Sequence, residues 1–244
     1  MEELLLRVVP GLAEQWKGSS PGEIARIEQI AGRPLPPFYR WFLSRMGRHM
    51  GRLAYPSLDF SAQRVIEQYD EEWVEPHPRL LLIAHDSSEM MPTSLFYDLD
   101  DAARDDALVA FKEEGAGEDD LYEGFETLRE MLAWSALSRF RLGKLPQRCG
   151  GTFTSDEENV LPLIAPVMSS LGFNQPISTG PQCGLYDRED ATMICKGMPR
   201  RRLDKVRSFG LGGSDAGSIR KILGEIATKT SLQVKVSEWT PPLE

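Results

Sequence analysis

The sequence has few of the residues that build disulfides, metal sites and nucleophilic catalytic centres. Its 244 residues include only three cysteines and three histidines. Cys149, Cys183 and Cys195 contain no CxxC pair, so we expect buried free thiols in a reducing compartment and no disulfide framework. The histidines occur in no HExxH or Cys/His metal-binding spacing, and no GxSxG segment is present. The sequence therefore predicts a protein that is not an enzyme, with no catalytic residue, metal site or cofactor.

Long apolar runs are also missing. The longest candidates, Leu4–Val9 and Leu80–Ala84, are far shorter than the roughly 20 residues that span a bilayer. The chain begins MEELLL, with two glutamates in place of the basic segment that opens a secretory signal. These features predict a cytoplasmic protein that has no membrane partner.

Basic charge is scarce where acidic charge is concentrated. The net charge of the chain is −9, and residues 55–135 hold 21 acidic against 5 basic residues. Nucleic acid is excluded as a partner of such a surface, because phosphate binding needs Lys and Arg. The surface suits a basic protein partner, although acidic charge also serves solubility alone.

Two acidic segments stand out as the surface that would steer a basic partner. One follows a predicted helix and the other occupies a predicted loop between strands. The residues expected to face the partner are Asp70, Glu71, Glu72, Glu113, Glu114, Glu118, Asp119 and Asp120.

The first half of the chain predicts helices packed on an antiparallel sheet. Ser20, Pro21 and Glu23 form a capping-box signature that opens a helix, and Gly32 ends it. A second, aromatic-rich helix follows over Phe38–Met46. Three apolar segments, RLLLIAHD, SLFYDLDD and ALVAFKEE, then predict consecutive strands before a closing helix. We interpret residues 1–142 as one α+β domain.

The second half predicts a smaller unit of the same fold class. Residues 143–154 lie in a stretch, 141–157, that is rich in Gly, Pro, Ser and Thr, and they are interpreted as a linker. Residues 155–244 then predict the order α-β-β-β-α-β, with helices over an antiparallel sheet. The last strand, SLQVKVSEW, alternates apolar and polar residues, so one of its faces is expected to meet solvent.

The glycine-rich stretch at 209–217, FGLGGSDAG, leaves an alternative open. A helix that starts after such a turn can hold a phosphate, which would make the chain a small-molecule or nucleotide binder. Against this, the spacing is not GxGxxG and no P-loop lysine follows. Asp215 also puts a negative charge at the expected helix start, so we favour a structural turn that is capped by its own side chain.

The helix–LP–helix segment carries a family resemblance. It resembles the SUKH superfamily, which includes yeast cell-wall regulators of the Smi/Knr type and many bacterial immunity proteins. The order and spacing of elements agree over residues 1 to about 140, and the departures are MGRHMG in place of an NGG-like turn and a loop at 86–93 without glycine. The motif residues in this sequence are Ile24, Glu28, Gly32, Leu35, Pro36, Tyr39, Phe42 and Leu43.

The resemblance implies a non-enzymatic protein-binding domain. Bacterial members look like cytoplasmic immunity proteins that bind and neutralise a polymorphic toxin, which is our first expectation for this chain. A regulatory or scaffold domain of the Smi/Knr type, unrelated to toxins, is the alternative. The resemblance does not extend to residues 150–244.

Overall fold

The computed structural model describes residues 1–86, 92–113, 120–155, 160–197 and 205–242. Helices and antiparallel sheets occur in separate stretches of the chain, so the predicted α+β class is confirmed. The chain divides into two units, one of Val9–Leu132 and one of Met1–Val8 with Ala133–Glu244. Each unit contains its own five-stranded antiparallel sheet.

The described residues contain α-helices of four to fourteen residues. Short 3₁₀ turns lie at Gly51–Leu53 and Leu142–Lys144, and a π-helical turn lies at Leu137–Arg141. The α-helices are α1 (Glu2–Val8), α2 (Leu12–Gln15), α3 (Pro21–Ala31), α4 (Pro37–Met46), α5 (Ala62–Asp70), α6 (Leu128–Ala136), α7 (Leu161–Ser170) and α8 (Ala216–Lys229).

The strands of the described residues form one two-stranded and two five-stranded sheets. Strand order is β1-β2 in the small sheet, β3-β4-β5-β6-β7 in the first large sheet and β12-β8-β11-β10-β9 in the second. The strands are β1 (Trp16–Lys17), β2 (His49–Met50), β3 (Leu58–Asp59), β4 (Leu80–Asp86), β5 (Thr93–Ala103), β6 (Asp106–Glu113), β7 (Tyr122–Phe125), β8 (Gln147–Thr154), β9 (Cys183–Arg188), β10 (Ala191–Lys196), β11 (Val206–Gly213) and β12 (Gln233–Thr240).

The predicted capping box at the start of α3 is confirmed. The Ser20 hydroxyl accepts the Glu23 amide at 3.3 Å, and the Glu23 carboxylate accepts the Ser20 amide at 2.6 Å. Gly32 ends the helix with a φ of 64°, in the left-handed region that glycine adopts without a Cβ clash. Local signals therefore fix both ends of this helix, as the sequence predicts.

Helix α4 builds the aromatic core of its unit. Tyr39 meets Tyr97 of β5 edge-on with ring centroids 5.0 Å apart, and Phe42 meets Phe60 edge-on at 6.0 Å. All four rings are buried. Side chains of this size bury large apolar areas, and edge-to-face pairs add to that gain. The aromatics of the helix–LP–helix segment therefore belong to the core and do not form a stacking platform for a ligand.

The segment RHMG, residues 48–51, supplies one strand of the small sheet. His49 pairs with Lys17 and Met50 with Trp16. Gly51 follows with a φ of 58°, and a side chain there would also clash with Gln15. RHMG therefore connects the end of α4 to the segment that precedes α3.

The second unit packs its sheet between helical segments on both faces. On one face, α7 and α8 bury Ile164, Met168 and Ile222 against Phe209 and Leu211 of β11. On the other face, Gly210 and Gly212 leave room for two leucines of the preceding turn, Leu142 and Leu145. From residue 155 onwards, the predicted order α-β-β-β-α-β is confirmed.

The predicted linker at 143–154 is wrong over most of its length. Gln147–Thr154 form β8, an inner strand that pairs with β11 on one side and β12 on the other. The two glycines that suggested a loop are needed in this strand, because a side chain at Gly151 would clash with the backbone of β12 and the ring of Phe209.

The predicted boundary near residue 142 also differs from the division in the structure. Met1–Val8 and the segment from Ala133 onwards cluster with the second unit. The apolar side of α1 is buried, and Arg7 lies 4.0 Å from the Asp187 carboxylate of β9. The N-terminal helix thus packs in the unit that contains the C-terminal sheet.

All three cysteines lie in the described part of the chain as buried thiols, without a disulfide. Cys183 and Cys195 sit on adjacent strands, where Cys183 is opposite Lys196 and Cys195 is opposite Gly184. Their side chains therefore point to opposite faces of the sheet, because successive residues of a strand alternate. Burial raises the pKa of Cys195 to about 12 and that of Cys149 to about 11.

Candidate protein-binding surface

An exposed tryptophan follows α5. Trp73 is 65% exposed, more than any other large apolar side chain in the described part of the chain. It lies in the segment DEEWVEP, residues 70–76, which joins α5 to the region before β4. We call this segment with its side chains the Trp73 surface. Tryptophan is enriched among the residues that dominate binding energy at protein interfaces, which makes this side chain a candidate centre of a binding surface.

The backbone of the Trp73 surface is anchored at both ends. On one side, the amides of Trp73 and Val74 both donate to the Gln68 carbonyl at 3.0 Å. On the other side, the Nδ1 atom of His77 accepts the amides of Arg79 and Leu80 at 3.1 Å. The exposed indole therefore stands on a fixed backbone, which reduces the entropy lost when a partner binds.

The guanidinium group of Arg64 lies over one face of the Trp73 indole. The guanidinium carbon of Arg64 lies 5.8 Å from the centre of the Trp73 ring, and an Arg64 guanidinium nitrogen lies 3.6 Å from a carboxylate oxygen of Glu67. An arginine over an aromatic face is attracted by the negative face of the ring. Arg64 therefore favours one ring orientation and leaves the rest of the ring to solvent.

Carboxylates flank Trp73 in the sequence. Glu71, Glu72 and Glu75 are exposed, and none of them forms a salt bridge with the residues that the structure describes. Asp70 differs, because its carboxylate pairs with Arg26 at 2.6 Å. Three unneutralised carboxylates within two residues of Trp73 in the sequence give a segment that attracts cations over several ångströms.

Glu72 has an unusual backbone conformation. Its φ is 58°, in the left-handed region that glycine and asparagine adopt more readily than glutamate. Such residues cost stability, and they concentrate at functional sites. Glycine at this position would relieve the strain but would remove one of the three exposed carboxylates.

The structure divides the eight predicted partner-binding residues. Asp70, Glu71 and Glu72 lie in the Trp73 surface, whose chain enters the sheet at Leu80, opposite Asp98. Glu113 lies opposite Thr93, the first residue of β5 and five residues from Asp98, and the exposed Asp120 precedes β7. The structure therefore does not bring the two acidic segments together. Glu114, Glu118 and Asp119 lie outside the described residues.

Trp73 and Glu75 lie in the same surface but are not among the partner-binding residues predicted from the sequence. A helix that continued past Asp70 would have placed the indole on a helix face. The structure ends α5 at Asp70 and leaves the ring outside. The available signal was local, since a single Trp lies among four acidic residues just before Pro76 and Pro78.

A half-buried ion pair supports the chain next to the Trp73 surface. Arg79 donates to both carboxylate oxygens of Asp98, at 2.9 and 2.5 Å. Burial alone raises the pKa of Asp98, but the hydrogen bonds and the charge of Arg79 outweigh burial and lower the pKa overall. Arg33 adds contacts to the Pro78 carbonyl and to the Asp100 carboxylate.

We expect Arg79→Leu to lower the free energy of unfolding at pH 7 by about 2 kcal/mol, because Asp98 would lose its charged partner. The pKa of Asp98 is lowered by folding, so its contribution is present above the pKa of an unfolded aspartate, about 3.9, and is lost as pH falls through the folded value. The deficit of the variant should therefore shrink below about pH 4. Denaturant unfolding at pH 3 to 7 measures this.

The matched control is Arg26→Leu, which removes the exposed pair with Asp70. Exposed pairs contribute about 0–1 kcal/mol, so this variant should unfold nearly as the native chain does. Equal losses in both variants, or a deficit of Arg79→Leu that stays constant down to pH 3, would contradict the role given to Arg79.

The glycine-rich stretch at 209–217 is a strand end followed by a capped helix. Phe209–Gly213 belong to β11, and a side chain at Gly212 would lie 2.8 Å from a methyl carbon of Leu145. Asp215 caps α8 by accepting the Ser218 amide at 2.8 Å. This hydrogen bond lowers the pKa of Asp215, so a negative charge already occupies the helix start where a phosphate would bind.

A polar cavity of about 610 Å³ lies in the unit of α1 and the second sheet. Three arginines line it, but Arg141 is bonded to Asp187 and to two backbone carbonyls, and Arg188 to Asp190 and the Leu171 carbonyl. Arg141 and Arg188, which line the cavity, are thus already bonded to carboxylates and carbonyls of the same chain. No cluster of three potential metal-binding side chains occurs among the described residues.

The chain matches no model of a known protein family, and no curated protein is similar to it in sequence. Each helix in the described ranges is too short or too polar to cross a membrane. The Trp73 surface therefore provides the main observation from which a function can be inferred.

Proposed function

We propose that this chain is a non-enzymatic binding protein whose Trp73 surface captures a basic protein partner. The observation that carries the proposal is one 65% exposed indole with three exposed carboxylates that form no salt bridge within the described residues. Tryptophan is enriched among residues that dominate binding energy, whereas surrounding charges mainly speed and orient the encounter. The Trp73 surface, residues 70–76, contains both the tryptophan and the charges.

We further propose that the chain is a SUKH-type immunity protein that neutralises a toxin encoded nearby. Support comes from the motif residues, which hold the helix–LP–helix corner together. The Glu28 carboxylate accepts the Leu35 amide at 3.2 Å and pairs with Arg40, while Tyr39 and Phe42 are buried. Toxins that cleave nucleic acid need cationic surfaces, which suits a carboxylate-lined binding site.

The proposal includes a cytoplasmic location, where three buried thiols would stay reduced. It assigns no reaction, metal or cofactor to the chain. The main alternative, a regulatory domain of the Smi/Knr type, would use the same surface for a partner that is not a toxin.

The test is co-expression of the chain with the product of its neighbouring gene, followed by measurement of the association rate at low and high salt. Reversal of two charges in Glu71→Lys/Glu75→Lys should slow association by roughly ten-fold at low salt and much less at high salt, because salt screens exposed charges.

The control Glu14→Lys/Glu189→Lys changes the net charge equally at two other exposed glutamates. It should change the association rate far less than the double variant in the Trp73 surface. Equal effects of both variants would mean that net charge alone attracts the partner, and absence of any complex would refute the toxin-directed proposal.

A further inference from the structure

Strand β12 leaves one side of its backbone open. It pairs with β8 along its inner side, and no strand in the described ranges pairs with its outer side. With eight residues it is the longest of the edge strands in the two large sheets. A strand edge of this kind presents N–H and C=O groups that can accept another strand.

The opposite edge of the same sheet is partly covered by the chain itself. Asn174 exchanges two hydrogen bonds of 2.9 Å with Asp187 in the edge strand β9. This isolated bridge protects the C-terminal end of β9 from pairing with another strand. The described residues provide no such cover for β12, so the two edges of this sheet differ.

A bulge sets the side-chain pattern of β12. The register shifts between Val236 and Glu238, which removes Ser237 from the regular pairing with β8. Lys235 and Glu238, three residues apart, therefore both point outwards and are exposed. Neither has an ion-pair partner among the described residues. The strand packs three apolar side chains against the core of its unit: Val234, Val236 and Trp239.

We infer that two copies of the chain associate through β12, as antiparallel strands related by a two-fold axis, to form one continuous sheet. In the favoured register, Lys235 of one copy lies opposite Glu238 of the other, and the two-fold axis creates this pair twice. Val234 then lies opposite Trp239. Opposite charges and apolar pairs directly across two strands are both stabilising.

The charge pattern favours a second copy over an unrelated strand. A shift by one residue would place Lys235 opposite Trp239 or Glu238 opposite Val234, which mixes outward and inward side chains. The register with Val234 opposite Trp239 keeps the faces matched, and it also places Lys235 opposite Glu238. An exposed lysine on an edge normally discourages pairing, but here the same strand supplies the complementary glutamate.

The test uses sedimentation of the full-length chain over a range of concentrations. The native chain should form dimers, whereas Lys235→Glu and Glu238→Lys should each dissociate roughly ten-fold more readily, because each places like charges across the axis. An equimolar mixture of the two variants should recover the dimer, since every Glu pair of one copy then meets a Lys pair of the other. The double variant Lys235→Glu/Glu238→Lys should also recover it.

Recovery in the mixture separates a lost interface from a damaged fold, and thermal unfolding of each variant checks the fold directly. Lys221→Glu, at an exposed site on α8, is the matched control and should leave the dimer intact. A chain that stays monomeric at all concentrations would overturn the inference. The inference would also be overturned if neither Lys235→Glu nor Glu238→Lys weakened the dimer, or if an equimolar mixture of these two variants did not restore it.

Discussion

Replacement of Trp73 with alanine is expected to weaken partner binding about 30-fold, which corresponds to about 2 kcal/mol. The indole is the largest exposed apolar group on its surface, and its backbone is anchored by the Gln68 carbonyl. Its burial by a partner would remove apolar area from water with little loss of backbone freedom. Calorimetric titration with the product of the neighbouring gene measures the change.

The same substitution should leave the fold nearly unchanged. Trp73 is 65% exposed in the free chain, so its truncation should change the free energy of unfolding by less than about 0.5 kcal/mol. Thermal unfolding of the variant checks this point. A binding loss that comes with a large loss of stability would show that the indole supports the fold and would leave its role in recognition without support.

Tyr122 is the matched control for Trp73. It is 57% exposed and lies on β7, near Asp120 of the second acidic segment. We expect Tyr122→Ala to bind as the native chain does. Weak binding by Tyr122→Ala, together with normal binding by Trp73→Ala, would instead assign recognition to the second group of predicted residues, Glu113 and Asp120.

Replacement of Gly151 with alanine is expected to lower the free energy of unfolding by about 3 kcal/mol. Gly151 lies on β8 between β11 and β12, opposite Phe209 on one side and Val236 on the other. An added methyl group would collide with the backbone of β12 and would approach the Phe209 ring to 2.9 Å. Backbone atoms of an inner strand cannot move aside without loss of sheet pairing. Urea unfolding measures the effect.

Gly224→Ala, in the same unit, is expected to raise the free energy of unfolding. Gly224 lies inside α8, and an added Cβ there would meet no other atom within 4 Å. Alanine should therefore stabilise the chain by about 0.5 to 1 kcal/mol, because it restricts the unfolded chain and favours helix. A harmless Gly151→Ala variant would support the original interpretation of residues 143–154 as a linker.

The sequence predicted those elements whose signals are local. Ser20, Glu23 and Gly32 fix the ends of α3 within a dozen residues, and the structure contains each of their contacts. The alternation in SLQVKVSEW likewise predicted β12. Such elements depend on neighbouring residues, so composition and spacing are sufficient to find them.

Strand β8 was missed because its glycines have a distant cause. Gly150 and Gly151 look like loop residues in sequence, yet their lack of side chains makes room for β12, more than 80 residues later in the chain. The boundary at residue 142 failed for a related reason. The packing that assigns Met1–Val8 to the unit of the C-terminal sheet links residues that are far apart in sequence.

The binding surface could be predicted only in part. Charge composition identified Asp70, Glu71 and Glu72, since an excess of carboxylates is visible in any count. The exposure of Trp73 could not be predicted, because it depends on where α5 stops and on the hydrogen bonds from Trp73 and Val74 to Gln68. The separation of Glu113 from this surface follows from strand register, which the sequence does not specify.

Growth of cells that express the product of the neighbouring gene together with this chain tests whether the chain neutralises that product through the Trp73 surface. We expect the neighbouring product alone to arrest growth, the native chain to restore it, and Trp73→Ala to restore it poorly at equal expression. Equal protection by Trp73→Ala would contradict the role of the Trp73 surface. A neighbouring product that is harmless, or one against which the native chain gives no protection, would contradict the proposal that the chain is an immunity protein.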